Sequence, residues 1–374
     1  MGVATRYFGP TSAGSGDGTS WANRAALMTS PTGAFNGLIA GFDFSAGDSL
    51  LCLVGPGTYG DDTYFTDSIS LGDFVNPPTQ QTPLMIAACD SSGDLWQPPD
   101  PDWVSAQPCW DTSGMPEIRV GNTPVFDCPY LSIYGLRIVT TAKSASAINE
   151  GGSAEWIVID HSGSGTSAKC VSTDKWGALK NCCFSMSGSS IEKCIDIATT
   201  PRYMDNIRIE ATGSPTGGNR FGIEKRGNSA MTVSRVTAIG FATNFRHSAS
   251  GTNSYAQLTN CVSVNSIGNG VEITNNNSSC ENSVVSGSIV VGSGAYGLNA
   301  TVQEQIRAIN SRLRDNISGN TTNGNDPLLG CEVGSGVDAS EFVDAANGDY
   351  RIKSTSSLWG RGIGAGDEPS SGGG

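Results

Sequence analysis

Asn206-Ile-Arg-Ile209 is one member of a series that returns through the middle of the chain. The others are Gly135-Leu-Arg-Ile138, Trp156-Ile-Val-Ile159, Asn181-Cys-Cys-Phe184, Arg235-Val-Thr-Ala238, Asn260-Cys-Val-Ser263, Gly287-Ser-Ile-Val290 and Asn310-Ser-Arg-Leu313. Their starts lie 21, 25, 25, 29, 25, 27 and 23 residues apart, a mean of 25. A second apolar anchor keeps step with them at Ile148, Val171, Ile195, Ile223, Phe245, Val271 and Leu298. It usually sits in a two-residue alternation such as Ile195-Asp-Ile197 or Val271-Glu-Ile273. A repeat of this length means stacked units, none of which can bury its apolar face alone. Alternation at period two makes the units strands. Two short strands in each repeat leave no room for a helix, so every repeat reads as one coil of an all-β, parallel β-helix solenoid. Parallel crossovers are almost always right-handed, which predicts a right-handed column.

Composition agrees. Glycine supplies 49 of 374 residues, nearly twice the usual ~7 %. Charged residues are 15 % of the chain against a usual ~25 %. Ser, Thr, Asn and Gly fill the difference, as tight corners between strands require. Four of the eight series positions are Asn, which tolerates the left-handed corner conformation, and stacked amides can bond along the axis. The net charge of −13 argues against nucleic acid and anionic membranes as partners, because both need a basic patch. No run of 18 apolar residues exists to span a membrane. The opening Met1-Gly-Val-Ala-Thr-Arg-Tyr-Phe-Gly-Pro10 has no signal-peptide h-region. The 11 cysteines are read mainly as small buried hydrophobes of a chain made in a cytoplasm, with a disulfide among Cys89, Cys109 and Cys128 left open.

One continuous domain is expected, in four stretches. Residues 1–60 form an N-terminal cap and first rung, with a short helix near Ala22 to Leu27, and residues 61–130 form loop-rich early rungs. Residues 131–320 form regular coils, and 321–374 a closing segment with a Ser/Gly tail. The early loops are rich in proline, which cannot donate in a ladder, and Leu84-Met-Ile-Ala-Ala88 reads as a rung strand between them. Trp96, Trp103 and Trp110 fall in these loops. They serve either as a covering of the column's flank or as a contact platform for sugar or protein.

Gly47-Asp-Ser-Leu-Leu-Cys-Leu-Val-Gly-Pro-Gly-Thr-Tyr59, after the Gly/Asp-rich opening, resembles the first rung of the pectate-lyase-like, right-handed β-helix superfamily. The ending Glu341-Phe-Val-Asp344 with Asp349-Tyr-Arg-Ile352 resembles the close of many bacterial and phage β-helix proteins. Together these resemblances cover nearly the whole chain and specify fold far better than activity. Trp156-Ile-Val-Ile-Asp160-His161 is similar to a Trp-Ile-Asp-His stretch of one pectate lyase family, with two residues inserted. That family's Arg-x-Pro-x-x-Arg motif is absent, and Pro201-Arg202 is only faintly similar. Of the polygalacturonase-type motifs, only Arg351-Ile-Lys353 and Asp61-Asp62 occur, in the wrong order.

If the second anchors point inward, Asp196, Glu224, Arg246, Glu272 and Asn299 stack outward about 4.8 Å apart. Such a column is read either as a solvated face of weak charge pairs or as a site. Stacked carboxylates could bind Ca²⁺, share a proton or match a retaining glycosidase. Asp160 and His161 are the second candidate site. No cofactor is expected, and Ca²⁺ would enter only if the chain is an enzyme. The leading functional reading is a virion structural protein, a bacteriophage capsid decoration, head spike or tail spike. Phage β-helices resemble it in forming homotrimers, so the partners expected are copies of itself, other virion proteins such as the capsid protein, and a host surface glycan. The alternative is a polysaccharide lyase or glycoside hydrolase acting in the outer groove of the β-helix. A cell-surface adhesion module is the third reading.

Overall fold

The computed structural model describes residues 2–26, 38–39, 41–59, 69–70, 74, 76–121, 126–128, 130–141, 146–149, 152–163, 168–173, 178–188, 193–197, 203–212, 221–227, 230–249, 255–275, 283–300, 306–316, 318–321, 328–334 and 339–369. The chain is a parallel β-helix. One side is a ten-stranded parallel sheet running from Ile69–Ser70 to Gly319–Thr321. Its register joins Ile148, Val171, Ile195, Ile223, Phe245, Val271 and Leu298 in one unbroken inward stack. All seven are buried in the main core. The second anchors therefore lie where the alternation places them.

The larger sheet bends at one residue per coil. Gly135, Trp156, Asn181, Asn206, Arg235, Asn260, Gly287 and Asn310 all have φ between 46° and 72°, so every series position is a left-handed corner. One backbone turn at this point converts a nine-residue strand such as Tyr203–Ala211 into two segments at an angle. Each coil thus carries three strand segments, one more than the sequence predicts. The left-handed region costs a side-chain-bearing residue roughly 1–2 kcal/mol, less for Asn. At Arg235 the corner is braced by Asp205, which accepts from Nε at 2.8 Å and also from Nη2. The axial amide bond forms where two consecutive corners are both Asn: Asn206 Nδ2 donates to Asn181 Oδ1 at 2.8 Å. Asn260 stands between Arg235 and Gly287 and has no amide in the neighbouring corners. A second left-handed corner, at Gly240, Asn265, Gly292 and Asp315, was not read from the sequence.

The N-terminal strand Val3–Gly9 lies parallel to Ser49–Val54. The expected cap helix is not an α-helix over its described part: Trp21–Asn23 is one 3-10 turn, and Ala25–Ala26 is a strand. Residue 27 lies outside the described residues. Leu84–Ala88 is a rung strand as predicted, paired to Ser49–Val54 on one edge and Leu131–Tyr134 on the other.

The C-terminal segment does not continue the coils. Phe342–Asp344 and Asp349–Ile352 pair antiparallel and lie along the column's flank. There Phe342, Tyr350, Ile352, Leu358 and Ile363 cover an apolar stripe of Ile239, Val262, Val264, Ile289 and Val291. Gly364 N donates to Gly287 O at 2.7 Å, and Tyr350 N to Ala106 O at 2.7 Å. The strap therefore meets the Trp-bearing early loop on the same face. That loop is tied down by Cys109–Cys183, a disulfide that joins one of the three cysteines left open in the sequence to a partner outside them. The tail beyond residue 369 lies outside the described residues.

Candidate functional site

The outward column assembles in the predicted register: Ser172, Asp196, Glu224, Arg246, Glu272 and Asn299 pair coil to coil. It is not a solvated face. Asp196 is 1 % exposed and Glu224 4 %, because long side chains from the same strands close over them. Lys169 Nζ lies 2.6 Å from Asp196 Oδ2, and Lys193 Nζ 3.5 Å from Asp196 Oδ1. Arg226 donates to Asp196 from Nη2 at 2.7 Å and from Nε at 3.3 Å. Lys193 also pairs with Glu224 Oε2. Arg246 Nη1 reaches Glu224 Oε1 at 3.2 Å, and its Nε reaches Glu272 Oε1 at 3.2 Å. Asn269 Nδ2 donates to Glu272 Oε2 at 2.6 Å. The Arg246 guanidinium sits 4.4 Å over the Phe221 ring, a cation–π contact that shields this end of the network.

Burial pushes the Asp196 carboxyl up, but Lys169, Lys193 and Arg226 outweigh it and hold the group below the usual carboxylate range. A general acid needs the opposite shift. Both oxygens of Asp196 and both of Glu224 face ammonium or guanidinium groups, so neither presents an open carboxylate to a sugar or a water. Ca²⁺ takes six to eight oxygen ligands. These oxygens are already held by cations, so the column does not fit that ion. Among the described residues no group of three His, Cys, Asp or Glu side chains could hold a metal.

Sequence reasoning passed over Lys169, Lys193 and Arg226. The signal was present in Lys169-Cys-Val171 and Lys193-Cys-Ile195, the same tripeptide pattern one coil apart. Among the described residues, the network counts Lys169, Lys193, Arg226 and Arg246 against Asp196, Glu224 and Glu272, one cation more than carboxylates on a chain of −13. The Arg226 side chain is 49 % exposed and is its outer edge. Lys225, next in the chain, points the other way and is wholly buried, in register with Ile197 and His247. Burial lowers its ammonium to about 8, with Arg226 adding to the effect and Asp196 opposing it.

Asp160 and His161 do not act together. Neighbours on a strand face opposite ways, and here Asp160 faces out while His161 is 1 % exposed. Asp160 accepts from Arg137 Nε at 2.9 Å and Nη2 at 2.7 Å, and from Ser185 Oγ at 2.8 Å. Arg137 also reaches Glu117 on the preceding coil at 2.8 Å. His161 Nδ1 accepts from Gly163 N at 3.1 Å, which places its proton on Nε2, a buried atom without a hydrogen-bond partner among the described residues. Burial lowers this imidazole to about 4, so it is neutral at pH 7. The three loop tryptophans are packed away: Trp96, Trp103 and Trp110 are 7 %, 3 % and 7 % exposed. Trp110 stands edge-on to Trp103 at 4.8 Å and to Trp156 at 5.1 Å, and Trp103 Nε1 donates to Pro108 O at 2.8 Å. All three belong to the buried core that the loop closes against the column.

No family model matches the chain, and no curated protein does. Among solved structures, the crystal structure of pectate lyase Pel9A superimposes with a TM-score of 0.55 at 12 % identity, over 96 % of this chain and 90 % of that one. This similarity extends over the whole column and establishes a pectate-lyase-like parallel β-helix fold.

Proposed function

We propose that the chain is a structural column of a virion, a bacteriophage capsid decoration or spike, made in the host cytoplasm and carried on the particle. One observation carries the reading: the charged column is spent on itself. Lys169, Asp196, Glu224, Arg246 and Glu272 link five successive coils through ion pairs, with Lys193 and Arg226 bracing them. That is the chemistry of an axial cross-link and leaves no acid–base pair facing outward. A column stiffened in this way suits a projecting or reinforcing element. Its partners in this reading are two further copies of itself, the capsid protein and a host surface glycan. Light scattering across a dilution series tests the reading. A stable trimer near three times 38.7 kDa supports it, and a monomer that cleaves a polysaccharide overturns it.

The second reading, a polysaccharide-degrading enzyme working in the outer groove, is favoured by the excess positive charge at Arg226. A locally cationic groove on an acidic chain attracts a polyanion such as pectate, the substrate named for the solved neighbour. Incubation with polygalacturonate, read by absorbance of unsaturated product and by reducing ends, separates the two readings.

A further inference from the structure

We infer that Cys109–Cys183 is a reversible redox latch, which holds the early loop and the C-terminal strap together over the apolar flank. Four observations support this. The bond spans 74 residues and is the only disulfide among the described residues. It joins an irregular loop to the long strand Ala178–Met186. The loop it fixes is also the strap's landing place: Tyr350 N bonds Ala106 O, and Arg208 Nη1 donates to both Gln107 O at 3.0 Å and Gly348 O at 2.8 Å. Cys109 is exposed while Cys183 is buried, so an external thiolate can approach one sulfur only.

The other cysteines explain why the latch can reverse without scrambling. Among the described residues, Cys52, Cys89, Cys170, Cys182, Cys194 and Cys261 are free and buried, Cys128 is buried, and Cys331 is free and partly exposed, next to a strand six coils from that of Cys183. Burial raises Cys52 and Cys170 and pushes Cys89, Cys182 and Cys261 to about 12. Exchange needs an accessible thiolate within reach; the buried thiols present none, and Cys331 is held six coils away. Opening therefore proceeds by one route. A thiolate of an external dithiol attacks Sγ of Cys109, and Cys183 leaves as a thiolate and takes a proton from water. The second thiol of the reagent, deprotonated, then displaces Cys109. The protein disulfide gains two electrons, and the dithiol is oxidised to its cyclic disulfide. The released loop no longer fixes Ala106 and Gln107, so the strap loses its upper anchor and the stripe of Val262, Val264, Ile289 and Val291 becomes accessible. This inference stands apart from the virion reading and survives its failure.

Hydrogen exchange of the whole chain, with and without dithiothreitol, is the test, with thiols counted by alkylation and peptide mapping. Reduction should speed exchange at least tenfold in peptides from 103–110 and 342–352, and leave 207–211 unchanged. The variant Cys109→Ala, at an exposed position, should show the open pattern without reductant and no further change with it. Equal protection in oxidised protein and in protein whose two thiols are fully alkylated would overturn the latch. So would a peptide map of air-oxidised protein that finds both cysteines free.

Discussion

Asp196 and Arg226 stand on neighbouring coils, and the guanidinium grips the carboxylate through two nitrogens at 2.7 and 3.3 Å. The carboxylate is almost fully buried, while the arginine reaches solvent. Charge is drawn into the wall of the column only because the lysines of two coils converge on it. Removing one member leaves the others buried and uncompensated, which costs more than the pair itself contributes.

The double variant Asp196→Ala/Glu224→Ala should therefore lose about 3–5 kcal/mol of stability in urea titration. A catalytic pair would behave in the opposite sense, since removing it abolishes activity while stability holds or rises. A variant as stable as the parent would refute the cross-linking role.

Acid should weaken the same network. Asp196 binds its proton less tightly when folded than when unfolded. Its contribution is complete above the ordinary carboxylate range and is lost as pH falls through the lowered value. Urea midpoints between pH 2 and pH 6 should show this loss in the parent, and Asp196→Asn should flatten it.

His161 adds a separate limb. Its folded value of about 4 lies below the ordinary ~6.5, so the unfolded chain binds the extra proton. Stability should fall from about pH 6.5 down to about pH 4, by on the order of 3 kcal/mol in total. His161→Phe should remove that slope. The check is the slope in that window alone.

Lys225 is the contrary case, a wholly buried ammonium with a folded value of about 8. A depressed folded value means that burial works against the fold below pH 8 and stops doing so as pH passes the ordinary ~10.4. Lys225→Met should stabilise the chain by roughly 2 kcal/mol at pH 7 and reduce the rise on the alkaline side. A Tm lower than the parent's at pH 7 would contradict it.

Two corner asparagines should part company. Asn206 Nδ2 donates to Asn181 Oδ1 and to Trp103 O, each at 2.8 Å, and its Oδ1 accepts from Ser105 N at 2.7 Å. Asn206→Ala should cost about 3 kcal/mol, because buried partners are left unsatisfied. Asn260→Gly keeps the left-handed corner at an expected cost below about 1 kcal/mol. Equal losses in thermal unfolding would mean that the corner conformation, and not the bonding, sets the requirement.

The repeat was legible because a solenoid is built from nearest neighbours. Each coil must present an apolar residue inward at the same point, so Ile195, Ile223, Phe245 and Val271 announce the column, and alternation then places Asp196, Glu224 and Glu272 outside. Corner conformation was legible in part. Asn marks it through its tolerance of positive φ, whereas Trp156 and Arg235 adopt it under outside bracing that no local rule reveals.

What sits on the column was decided in three dimensions. The packing of Trp110 on Trp156, the joining of Cys109 to Cys183 and the strap over Val262 and Ile289 unite residues far apart in the chain. The repeat period says nothing about where an irregular loop or a terminal hairpin will land. The burial of Asp196 belongs to the same class. Sequence alternation set the direction of its side chain, but only the convergence of Lys169, Lys193 and Arg226 from three coils turned an outward carboxylate into a buried one, because desolvation depends on every neighbour at once.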